Sequence, residues 1–119
     1  MRPREVLTHI FDAAQACELL ERFTEGKAFD DYAADPMLRS AVERQFEIVG
    51  EALKRALDLD PTLAERISDA ARIVAFRNRL IHGYATVSDQ VVWGVVEVNL
   101  PMLRREVKAL MEEGGAPNR

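Results

Sequence analysis

The chain is poor in the residues that hold small proteins together by means other than packing: its 119 residues include one cysteine, Cys17, and two histidines. A single thiol forms no intramolecular disulfide, and so few soft donors leave a structural zinc site without ligands. Long apolar runs are missing as well. Nothing approaches the roughly 20 residues needed to span a bilayer, and Met1-Arg2-Pro3-Arg4-Glu5 leads into mixed charge instead of a signal core. The expectation is a cytoplasmic protein with no membrane segment. There is no internal repeat, low-complexity tract or Ser/Gly linker. One domain over residues 1–113 follows, with 114–119, Gly-Gly-Ala-Pro-Asn-Arg, reading as a flexible tail.

With 48% hydrophobic and 30% charged residues, the chain has the balance of an ordinary globular protein stabilised by its core. A net charge of −4 argues against nonspecific coating of nucleic acid, which needs a basic surface to displace counterions from phosphates. Any polyanion site must be local. Between Asp69 and Asp89 there is no acid, and Arg72, Arg77, Arg79 and His82 all fall inside that window.

Proline placement marks helix starts. Asp35-Pro36 and Asp60-Pro61 each set an acid at the N-cap before a proline at the first helical position, where its missing N–H costs nothing. The spacing predicts a first helix over residues 4–25, with Val6, Ile10, Ala13, Cys17 and Leu20 on one stripe, ending near Gly26. A second helix covers 36–57 through Leu38, Val42, Val49, Ala52, Leu53 and Ala56. A short turn at 61–66 leads to a third helix from Asp69 to His82, stopped by Gly83 as a C-terminal glycine would. The last helix runs from a Ser88 cap to Glu112 and is kinked by Pro101. Asp30-Asp31 with Tyr32 reads as a solvated connection. The fold class is therefore all-α, an up-and-down four-helix bundle with an additional short helical turn.

Wound at 100° per residue, Ala70, Ile73, Val74, Phe76, Leu80 and Ile81 make one apolar arc, and Arg77 falls inside it. A buried guanidinium needs a carboxylate, an interface or a cleft. Glu51 is one such carboxylate; it could equally pair with Arg55 four residues on. His82 lies about 140° around from Arg77, so the two converge only if the helix loosens near Gly83. Arg77, Asn78, His82 and Tyr84 then surround one helix terminus, where His82 either caps the last turn or belongs to a site. Gln45 and His9 read as structural, and Trp93 and Phe76 as core.

The segment Arg77-Asn78-Arg79-Leu80-Ile81-His82-Gly83-Tyr84 resembles the motif of the HepT-like proteins of the HEPN superfamily, an Arg followed at four to six residues by a His. The flanks, Glu43 to Ala52 before it and Val91-Val92-Trp93 with Asn99-Leu100-Pro101 after it, resemble that family's in the same order. The resemblance implies a HEPN-like bundle acting as the toxin of a bacterial toxin–antitoxin pair: a metal-independent ribonuclease, a homodimer with a shared cleft. Arg77 and His82 would be the catalytic pair, supported by Asn78, Arg79 and Glu51. Tyr84 would accept AMP from a cognate minimal nucleotidyltransferase acting as antitoxin. No cofactor belongs to the chain itself; ATP and Mg2+ would serve the partner. The chemistry is consistent, since RNA carries its own 2′-OH nucleophile, an imidazole can move its proton, and an arginine can stabilise the phosphorane. The alternative is a noncatalytic accessory subunit that binds nucleotide or substrate for the nucleotidyltransferase.

Overall fold

A computed structural model describes residues 2–83 and 87–114. Helix α1 spans Arg4–Thr24, α2 Phe29–Ala34, α3 Pro36–Leu59 and α4 Ala70–His82. A 3-10 turn at Pro61–Glu65 joins α3 to α4. The last helical run is continuous: α5, Asp89–Gly94, passes through a π turn at Val95–Asn99 into α6, Leu100–Gly114. The four long helical runs form the expected bundle, with α3 packed between α1 and α4, and α6 against α1.

Both Asp-Pro signals work as local chemistry predicts. The Asp35 carboxylate accepts from the backbone N–H of Met37 at 3.0 Å and of Leu38 at 3.1 Å, and Asp60 caps the 3-10 turn through Thr62 N–H at 3.2 Å. Each satisfies amide donors that the start of a helix leaves open. Helix α1 ends because Gly26 adopts φ +72°, a left-handed conformation that glycine alone enters freely.

The stripes converge on one core. Ile10, Ala13, Cys17 and Leu20 of α1 meet Val42, Phe46, Val49 and Leu53 of α3, all inaccessible to solvent. Phe46 stacks edge-on against Phe76 of α4, ring centres 5.3 Å apart. Burial of this kind contributes about 1.5–3 kcal/mol per large side chain. Polar ties fix the far end of the bundle. Arg104 on α6 holds Glu18 on α1 at 2.5 and 3.1 Å, and Asn99 donates to Asp69 at 2.7 Å.

Three sequence expectations are corrected, and at Pro101 the backbone shows how the proline is accommodated. The Asp30-Asp31-Tyr32 segment is a helix, not a solvated connection: Asp31 accepts from the Ala28 N–H at 2.8 Å, and Tyr32 is fully buried against Trp93, centroids 5.2 Å apart. Gly83 ends α4 with extended backbone, φ −72° and ψ 102°, without the left-handed turn of a glycine stop. Gly114 closes α6 instead of beginning the tail. Pro101 expresses its missing N–H as the π turn just before it, where the Leu100 N–H bonds Val95 O five residues back; a regular helix would drive the proline ring into the carbonyl four residues earlier.

Candidate functional site

Arg77 is the centre of the polar arrangement. It lies on the α3 side of α4, its side chain only 19% exposed. Its Nη2 donates to both carboxylate oxygens of Glu51, 3.2 Å each, and Nη1 donates to Asn78 Oδ1 at 2.9 Å. Nε is buried with no partner. Glu51 also lies 3.8 Å from Arg55 Nε, so both contacts left open by the sequence occur, on one carboxylate. Two guanidiniums share it.

The stem of Arg77 has a specific seat. It crosses α3 at Gly50, where a Cβ would stand 2.2 Å from Arg77 Cβ and 2.7 Å from Cγ. A helix-interior glycine costs about 1 kcal/mol relative to alanine; here it allows the two helices to approach closely enough to place Arg77 against Glu51. The interior glycine of a long amphipathic helix is the sequence signal that points to such a contact.

Arg77 borders a groove of about 510 Å³ between α1 and α3. His9 and Gln45, which read as structural, line it with Ile48, Arg55 and Ile81. No spacing within α1 announces this, because His9 meets the site only through the packing of α1 on α3. Ile81 belongs to the apolar arc of the sequence but remains 44% exposed.

His82 does not join Arg77. Helix α4 stays helical through His82, so the 140° separation persists and the expected loosening is not seen. His82 and Arg79 are exposed. Tyr84, the expected AMP acceptor, lies outside the described residues. One protomer thus presents an oriented arginine on one side of α4 and an imidazole on another. A guanidinium with its two Nη groups fixed can exchange a carboxylate for a phosphate, whose oxygens match the same planar fork.

A second polar cluster lies under α2. The Tyr32 hydroxyl is buried without a hydrogen-bond partner, and burial pushes its pKa above the ordinary phenol value. Burial, reinforced by Glu47 and Asp89, raises the Glu43 carboxyl. Burial also pushes the Cys17 thiol up to about 12, making it inert. Among the described residues no three His, Cys, Asp or Glu side chains gather as a metal site would require, and no helix is long and apolar enough to cross a membrane.

The family pattern described as "Ribonuclease HepT-like" matches residues 13–110. The chain is 34% identical over 113 residues to "Putative RNase TTE0752" of Caldanaerobacter subterraneus subsp. tengcongensis, covering 93% of this chain and 96% of the relative. It is 35% identical over 106 residues to "Probable ribonuclease HepT" of Thermococcus cleftensis, covering 86% and 92%. It is 30% identical over 112 residues to "Gamma-glutamylcyclotransferase and putative RNase MJ0434" of Methanocaldococcus jannaschii, covering 92% of this chain and 49% of that longer protein. No solved structure is a significant match.

Proposed function

The chain belongs to the HepT-like family, and from that premise we propose that it is a metal-independent endoribonuclease, the toxin of a toxin–antitoxin pair. The observation that carries the reading is Arg77, held by Glu51 and Asn78 at the edge of a groove, on the same helix as an exposed His82.

In this reading two protomers pair about a twofold axis, and the cleft between them combines the arginine of one chain with the histidine of the other. The imidazole takes the proton of the RNA 2′-OH, and the 2′-oxygen forms a bond to phosphorus. Arg77 stabilises the added charge on the phosphorane. The bond to the 5′-oxygen then breaks, the leaving oxygen receives a proton, and a 2′,3′-cyclic phosphate and a 5′-hydroxyl result. Silencing follows when a nucleotidyltransferase, using ATP and Mg2+, joins the Tyr84 oxygen to the α-phosphorus and releases pyrophosphate. The new anion competes with RNA phosphate for the cations of α4.

The test is cleavage of defined RNA in EDTA by wild type, Arg77→Ala and His82→Ala proteins of equal helical content. Cyclic-phosphate ends produced only by wild type support the reading. RNA binding without cleavage would replace it with the accessory-subunit function.

A further inference from the structure

Helix α4 has a second face that the Arg77 site does not use. At 100° per residue, Arg72, Ala75, Arg79 and His82 fall within about 80° of one another, on the side away from Ile73 and Arg77. All four are exposed. The side chains of Arg72 and Arg79 make no ion pair or hydrogen bond with any described residue, whereas Arg39, Arg44, Arg55 and Arg104 each face a carboxylate. No acid occurs between Asp69 and Asp89 to neutralise them. In a chain of net charge −4, an acid-free helix face with two unpaired guanidiniums is a local positive strip.

Its geometry suits a strand. Arg72 and Arg79 are separated by about 10.5 Å along the axis, and His82 lies about 4.5 Å beyond Arg79. Ala71 and Ala75, both exposed, stand beside and between the arginines and let a backbone lie close to the helix. We propose that this face is a track for single-stranded RNA, on which Arg72 and Arg79 grip phosphates to one side of the scissile bond at His82. Arg72 is then a substrate-binding residue about 15 Å along the helix from the reacting group. The inference rests on the ribonuclease reading for its substrate, and it adds the direction in which the strand leaves the site.

The experiment measures binding of a labelled single-stranded RNA to the full chain carrying His82→Ala, from 50 to 200 mM salt. Adding Arg72→Ala weakens binding across RNA sequences and makes the slope of log K against log salt shallower by roughly 0.7, one phosphate contact on a single strand. Arg72→Lys restores most of that slope. Lys108→Ala, the same change of charge in the groove between α1 and α6, leaves the slope unaltered. If Arg72→Ala and Lys108→Ala behave alike, only net charge matters and the track is refuted. If Arg72→Glu halves the particle mass in light scattering while RNA binding persists, the face is a protein contact and the track is again refuted. An Arg72-dependent slope in a protein whose wild type leaves RNA uncut would support the track and overturn cleavage alone.

Discussion

Replacing Gly50 by alanine sets two known effects against each other. Alanine in a helix interior is favoured over glycine by about 1 kcal/mol, so an open site would gain stability. At Gly50 the new methyl would lie 2.2 and 2.7 Å from Arg77 Cβ and Cγ, and 3.4 Å from Ile73 O, against a carbon–carbon optimum of about 3.5–4.0 Å. Two of these atoms belong to the start of a side chain and cannot turn away, so α4 must retreat from α3 by roughly 1 Å or more. Overpacking of that kind costs about 1–3 kcal/mol, which exceeds the helical gain. The displacement also loosens the 3.2 Å contacts of Arg77 with Glu51. Gly50→Ala should therefore lower stability in urea by about 1 kcal/mol and depress RNA cleavage together with it. Gly94→Ala supplies the contrast: Gly94 has helical backbone and nothing within 4 Å of its added Cβ, so it should gain about 0.5–1 kcal/mol. Equal or greater stability for Gly50→Ala, with full cleavage, would refute the reasoning.

Three further outcomes are expected. Glu43 has its pKa raised, chiefly by burial; its protonated form is the one the fold favours, so its contribution is present below the ordinary carboxylate value and lost as pH rises through the folded one. Glu43→Gln should raise the melting temperature at pH 7 and change it little at pH 4, which calorimetry at the two values checks. Cys17, buried and with its thiol pushed up to about 12, should resist alkylation by iodoacetamide until the protein is unfolded, followed by mass spectrometry. Tyr32→Phe removes a buried hydroxyl with no partner and should leave urea stability unchanged or higher, since no hydrogen bond is lost.

The elements that could be read in the sequence are those set by local chemistry. Asp35-Pro36 and Asp60-Pro61 start helical turns because a carboxylate two or three residues ahead of open amides is sufficient. Helix α2 escaped because its six residues are too few to show a period, and its burial depends on Trp93, far along the chain. Glu51 could be named as a partner of Arg77 only beside Arg55, since a choice between two cations requires the third dimension; the fold brings both. His9 gave no signal at all. Its place in the groove is created by α1 lying on α3, and neither helix records that contact in its own spacing.

The π turn at Val95–Asn99 carries one more consequence. Five residues wound wide take up about 90° less rotation than the same five in α form, so the helical run leaves the turn out of phase with the way it entered. The first part packs toward α2, and the second toward α1. A single rod thereby serves two neighbours that no straight amphipathic stripe could address together. Wound instead as a regular α-helix, the same five residues would turn Leu103, Val107 and Leu110 about 90° away from the core that now encloses them.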